Sequence, residues 1–262
     1  MRQHTAGFYL GLIGSIILGF AVLAGVWWGI SSISGLGSRD GVVKATITGP
    51  GTATLDLATY PDAMVCHASA GAPQNTWVTY CAGDNSINNQ IDLPPNSLIT
   101  VNIKQYDSGT PLINDYFSQV RGTVGGNAMV DGMPFTSTSD VVAISKAVKG
   151  GHTFACDNQG CDPAHTFTIQ SEPNSTNPIF ISVPLLGVNS NVQANTNVAG
   201  NMYPMPNVIT FQFRTGPAGM TYIWHCYDPC GDTAYGRNPP YGFSGPMWTL
   251  GYMAGTINVT NY

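Results

Sequence analysis

The sequence predicts a mainly β protein: a two-sheet Greek-key sandwich with long loop insertions, preceded by one N-terminal transmembrane helix. Three observations carry that prediction. An apolar run near the start is long enough to cross a bilayer. Beyond it, short alternating or apolar stretches recur, broken by Gly, Pro and Asn, and no second run of helical periodicity follows. Lastly, the six cysteines fall into local pairs, Cys66/Cys81, Cys156/Cys161 and Cys226/Cys230, as expected of a chain in an oxidising compartment.

The helix comes first. From Thr5 to Ser38 no residue is charged, and residues 7–30, GFYLGLIGSIILGFAVLAGVWWGI, are almost wholly apolar. A helix of that length rises about 36 Å, enough for a hydrocarbon core of about 30 Å. A cleaved signal peptide would have a shorter apolar core, about 7–15 residues, ending at an A-x-A-like site. Here SISG follows instead, and Trp27 and Trp28 stand where an interfacial aromatic belt belongs. Arg2 lies before the run and Arg39 and Lys44 after it, so basic residues do not orient the helix. The paired cysteines do. They place residues 1–6 in the cytoplasm, 31–41 as a small-residue linker, and 42–262 as one extracytoplasmic domain on a single-pass protein of the cell membrane.

That domain is poor in charge. Only 9% of the chain is Asp, Glu, Lys or Arg, against roughly 25% in an average soluble domain. A formal net charge of −5 with nine basic residues leaves no electrostatic footprint for nucleic acid. There is no G-x-S-x-G, P-loop, H-E-x-x-H or G-x-G-x-x-G motif, so the chain carries no recognisable catalytic residues of its own.

Seven segments read as strands: 41–48, 97–106, 165–170, 179–185, 208–215, 220–226 and 255–262. In SLITVNIKQY, Ile99, Val101 and Ile103 alternate with Thr100, Asn102 and Lys104, so one face is apolar and the strand half-buried. Two polar, Gly/Pro-rich insertions, 61–94 and 106–151, exceed ordinary loop length. The second, through FSQVRGTVGGNAMVDG, has room for an extra hairpin.

The closing part is the most specific. VITFQFRTGPAGMTYIWHC joins a strand, a Gly-Pro turn and a strand ending at Cys226, and GPMWTLGYMAGTINV leads into a last strand. With the upstream PAHTFTIQ, this order resembles the C-terminal half of a cupredoxin. Cys226-x-x-x-Cys230-Gly231 further resembles the membrane-anchored subunit II of haem-copper (cytochrome c or quinol) oxidases. In that family two bridging thiolates, two histidines and a methionine hold a dinuclear copper centre. The resemblance implies His165 as first imidazole, Cys226 and Cys230 as thiolates, and Met253 or Met247 as thioether.

The match is partial. Ala234 stands where the second histidine is expected, Arg237 where the methionine is, and no histidine follows Cys230. A mononuclear blue-copper site also wants two imidazoles. His152, in a GGH segment, is the candidate second imidazole. His225 alternates with Cys226 along a strand, which directs it to the opposite face as a surface or hydrogen-bonded residue. Asp228 and Asp232 offer oxygen, poorly matched to soft copper. The first expectation is therefore a site without metal, with disulfides Cys66–Cys81, Cys156–Cys161 and Cys226–Cys230. It implies a copper-free, structural subunit of a respiratory oxidase, with multi-span membrane subunits and membrane lipid as partners. The alternatives are a cupredoxin electron carrier with an unorthodox copper site, and a non-respiratory surface protein.

Overall fold

The chain divides into two compact units, 1–40 and 41–262. The computed structural model describes residues 42–59, 80–82, 90–109, 112, 114–141, 161–189, 196–198, 201–228 and 253–262, all within the second unit. The expected transmembrane helix and linker lie outside the described residues. Among the described residues no helix is long and apolar enough to cross a membrane.

The strands, in chain order, are β1 (Val42–Lys44), β2 (Thr46–Gly49), β3 (Thr52–Thr59), β4 (Tyr80–Ala82), β5 (Gln90–Leu93), β6 (Leu98–Gln105), β7 (Ala128–Val130), β8 (Met133–Phe135), β9 (Pro163–Ser171), β10 (Phe180–Leu186), β11 (Thr196–Val198), β12 (Asn201–Tyr203), β13 (Asn207–Arg214), β14 (Thr221–His225) and β15 (Ala254–Val259). Two large sheets result. One runs β1-β5-β15-β14-β9-β10; the other runs β2-β3-β6-β13-β7-β8, with β4 pairing β3. The mainly β expectation holds.

Period-two alternation decides which side chains face inward. In β6, Ile99, Val101, Ile103 and Gln105 are buried while Lys104 is exposed; in β13, Ile209, Phe211 and Phe213 are buried. Across the sandwich, Phe167 of β9 meets Phe211 of β13 at 6.0 Å between ring centroids and stacks on Trp224 of β14 at 6.1 Å. Both sheets thus share one core. Strand β9 is buried on both faces through its first seven residues, so Thr166 and Thr168, which alternate with Phe167 and Ile169, are buried as well.

Three local features differ from a simple reading. The first expected strand, 41–48, is two: the chain passes at buried Ala45 from β1 in one sheet to β2 in the other. Strand β3 goes unpredicted, although Ala53, Leu55 and Leu57 alternate inward and pair in parallel with β6. The hairpin expected within 106–151 is β7–β8, turned by Asp131 and Gly132, both at positive φ (49° and 83°) as a two-residue type I′ turn demands.

Candidate metal centre

Strands β9, β14 and β15 are neighbours in one sheet, and they bring three sequence-predicted residues to the same end. His165 is the third residue of β9. Cys226 follows β14, and Met253 precedes β15. The Cys226 amide donates to the Met253 carbonyl at 3.0 Å, extending the β14–β15 ladder by one pair beyond His225 and Ala254. Within β9 the register against β10 slips: Leu185 pairs His165, but Leu186 pairs Pro163. Ala164 is the extra residue, a β-bulge of the kind that re-aims the next side chain. His165 and Cys226 are buried, as is Met253.

Cys226 carries a thiol. The expected Cys226–Cys230 disulfide is therefore not formed, a correction to the sequence reading; Cys230 itself lies outside the described residues. The sulfur has acquired other company. It accepts the Thr166 N–H and the Asp228 N–H, each at 3.3 Å, and stands 3.6 Å from the Asp228 carbonyl. Two backbone donors converging on one sulfur favour the thiolate over the thiol. Thr166 also fixes the chain beyond the cysteine: its Oγ1 accepts the Tyr227 N–H at 2.7 Å and a 3.3 Å bond from the Thr168 hydroxyl, which meets Ser182 Oγ at 3.0 Å.

His165 is held between Asp107 and Cys226. Its Nε2 lies 3.1 Å from Asp107 Oδ2, and the Cys226 side chain is its other partner. Burial alone would lower the imidazole pKa, but the hydrogen bonds and charges of Asp107 and Cys226 outweigh it and bring it to about 10. Asp107 is a site residue the sequence did not point to. It is set in place by backbone: Val188 N–H donates to its carbonyl at 2.8 Å, and Gln105 Nε2 does so at 3.0 Å.

Asp228, set aside on sequence as an oxygen donor poorly matched to copper, lies here too. Its side chain is fully buried, and among the described residues neither carboxyl oxygen has a hydrogen-bond partner. Burial first, then the nearby charges of Cys226, Asp162 and Asp107, push its pKa well above the ordinary carboxylate range, with His165 opposing.

Other expected site residues fall differently. His152, Cys66 and Cys156 lie outside the described residues, and of Cys81 only the backbone, in β4, is described. Cys161 is disulfide-bonded, to a partner whose side chain is not among those described. His225 is not a surface residue: it is 2% exposed, beneath Tyr227 at 4.1 Å, and its burial lowers its pKa. Tyr227 in turn stacks on Phe117 at 4.0 Å and 11°, so the chain after Cys226 is capped by aromatic rings.

One imidazole, one cysteine sulfur and one thioether, all buried, are donors copper takes. No second imidazole is shown beside them, and among the described residues no group of three or more His, Cys, Asp or Glu stands ready to hold a metal ion. The fit is to an unorthodox site, not to the dinuclear centre.

No family model matches the chain, and no curated protein does. Among solved structures, the copper protein rusticyanin is similar over 85% of this chain and 84% of its own, at 14% identity and a TM-score of 0.33. Rusticyanin from Thiobacillus ferrooxidans is similar over 82% and 86%, at 13% identity and a TM-score of 0.31. Auracyanin B is similar over 83% and 94%, at 14% identity and a TM-score of 0.27. Overlaps this loose carry no weight in assigning a function.

Proposed function

We propose that residues 42–262 form a cupredoxin-type electron carrier with an unorthodox copper site, held to the membrane by the 7–30 segment. The observation that supports this best is the Cys226 thiol, buried beside His165 with two backbone N–H groups aimed at its sulfur. A copper ion held there would supply a one-electron couple. The residues that would hold it are Cys226 through sulfur, His165 through the imidazole whose Nε2 Asp107 occupies, and Met253 through a thioether. The N–H groups of Thr166 and Asp228 stabilise negative charge on sulfur. Core packing around all three keeps out water and fixes their spacing, so little has to move when an electron arrives or leaves.

The other reading is the copper-free structural subunit, which follows from the missing second imidazole; the thiol at Cys226 removes only the disulfide expected along with it. Multi-span oxidase subunits and membrane lipid remain proposed partners for the carrier, to be checked by copurification with a haem-containing membrane protein. The direct test is copper addition to the purified full chain with Cys226 reduced. The expected result is one copper per chain after desalting, with an intense visible thiolate-to-copper band that Cys226→Ser abolishes. Failure to retain copper, or a spectrum indifferent to Cys226→Ser, sinks the reading.

A further inference from the structure

The fold sorts two copies of one sequence motif that the copper site does not use. Asn174-Ser175-Thr176 and Asn258-Val259-Thr260 both fit N-x-S/T, the acceptor pattern for N-linked glycosylation, and no other asparagine of the chain does. The second copy begins inside β15, a strand paired on both sides: Asn258 stands opposite Thr221 of β14 and Asp92 of β5. It is half-buried, its Nδ2 donates to Asp92 Oδ1 at 3.4 Å, and the Thr260 N–H donates to the Leu93 carbonyl at 2.9 Å. An enzyme can close around that amide only if the sheet first comes apart. The first copy lies in the loop from β9 to β10. There the Ser175 N–H donates to the Glu172 carbonyl at 3.0 Å, closing a four-residue turn with Pro173 and Asn174 at its centre. Pro173, Asn174 and Thr176 are all exposed. The base of the loop is held by other groups. The Ser171 N–H donates to the Ile179 carbonyl at 3.0 Å, the Ile179 N–H to Ser171 Oγ at 2.6 Å, and the Asn177 N–H to Ser175 Oγ at 3.3 Å. None of these bonds uses the Asn174 side chain, so the turn presents its amide outward without depending on it.

We propose that Asn174 is an N-glycosylation site and that Asn258 is not. The proposal is independent of copper and rests on the extracytoplasmic placement of residues 42–262. Cys161 is disulfide-bonded, as expected of a chain in an oxidising compartment. The co-substrate is an oligosaccharide carried on a lipid diphosphate, and the catalyst is a separate membrane transferase. Asn174 Nδ2 forms a bond to the anomeric carbon of the sugar as the bond from that carbon to the diphosphate oxygen breaks. The lipid diphosphate leaves with the electron pair, and the amide gives up one proton. Thr176 is exposed just past the turn, so the hydroxyl that the motif requires is also within reach. The position suits the rest of the domain. His165 is near the start of β9 and Ser171 ends it, which at about 3.3 Å per residue separates them by about 20 Å. A glycan on the 172–179 loop therefore leaves the end that holds His165 and Cys226 free of sugar.

The test uses the full chain purified from the membranes of the cells that naturally make it. The chain is digested, and its peptides are fragmented by electron transfer, which leaves a sugar on the residue that carries it. The expected result is an oligosaccharide mass on Asn174 and none on Asn258. Made in the same cells, Thr176→Ala breaks the motif but keeps the asparagine. It should lose the sugar and run at lower apparent mass on a denaturing gel, whereas Thr176→Ser should keep both sugar and mobility. Thr260→Ala should run with the wild type. Because Thr176 is exposed and outside any strand, Thr176→Ala should still melt cooperatively by circular dichroism, which separates loss of sugar from loss of fold. Asn174 recovered only without sugar overturns the proposal, as does a sugar on Asn174 that survives Thr176→Ala. Sugar on Asn258 overturns the sorting of the two motifs by strand pairing. None of these results bears on copper, which the Cys226→Ser spectrum reads separately.

Discussion

Replacing Asp107 by alanine removes the outer partner of His165 while leaving the imidazole in place. Asp107 Oδ2 is 3.1 Å from Nε2, with the histidine side chain 2% and the carboxylate 18% exposed, so the pair is mostly shielded. A hydrogen bond to a charged group contributes about 1.5–3 kcal/mol. A carboxylate behind a metal-bound histidine is worth about 10–100-fold in affinity, or about 1.4–2.8 kcal/mol. The two routes agree on about 2 kcal/mol. Asp107→Ala is therefore expected to weaken copper binding by about 30-fold in a competition titration and to lower urea stability by about 2 kcal/mol. Asp107→Asn, which keeps an acceptor oxygen but not the charge, should fall between the variant and wild type. The backbone here is held by Val188 N–H and Gln105 Nε2, both on the Asp107 carbonyl, so the loop does not depend on the carboxylate alone. Should Asp107→Ala bind copper as tightly as wild type while still folded, the carboxylate does not position His165 and the ring must be held by packing.

Three other outcomes are expected. Phe167→Ala empties the space between Phe211 and Trp224 and should cost about 3–5 kcal/mol in urea denaturation, a large share of the about 5–15 kcal/mol by which a domain is stable. Gly187→Ala would drive a Cβ into the Gly109 backbone, forcing the 107–109 segment away from the end of β10; thermal melting should fall and copper affinity with it, because Asp107 moves. Asp140, whose Oδ2 accepts from Thr136 Oγ1 and from the Thr136 and Ser137 amides, has its pKa lowered, first by the Thr136 side-chain bond. Its contribution is present above the ordinary carboxylate pKa and lost as pH falls through the lowered value. Asp140→Asn should flatten the acid limb of a stability–pH curve by under about 1 kcal/mol, since the group is exposed.

The sandwich was legible where alternation was strong. SLITVNIKQY placed Ile99, Val101 and Ile103 inward, and they are. TATLDLAT carries the same signal more faintly, with Ala53 in place of a large residue, and β3 was missed. No local pattern could show that Ala45 is where the chain changes sheets, because periodicity reports a face, not a partner. The Asp131-Gly132 turn, by contrast, was available in the residues themselves, since that dipeptide favours two successive positive φ values. At the site, His165, Cys226 and Met253 are expected from the resemblance to a cupredoxin's closing strands, and the fold brings them to one end of a sheet. Asp107 was not, being 58 residues from His165 and brought to it by the tertiary fold alone. The Cys226–Cys230 bond was expected from spacing and compartment. Spacing says nothing of the two N–H groups that the fold points at one sulfur.

Charge distribution ties these observations together. The chain holds only 14 acidic and nine basic residues in 262. Yet Asp107, Asp162 and Asp228 all act electrostatically on the same small region as His165 and Cys226. A protein so sparing of ionised groups elsewhere gathers these carboxylates, a thiol and an imidazole at one end of a sheet. Burying charge without compensation is destabilising, and the fold meets that cost in two ways. Asp107 pairs with His165 at 3.1 Å, while burial holds the Asp228 carboxyl well above the ordinary carboxylate range, toward its neutral form. Apolar residues of equal volume would pack as well, so a polar cluster kept at this cost is the reason to test the site for copper.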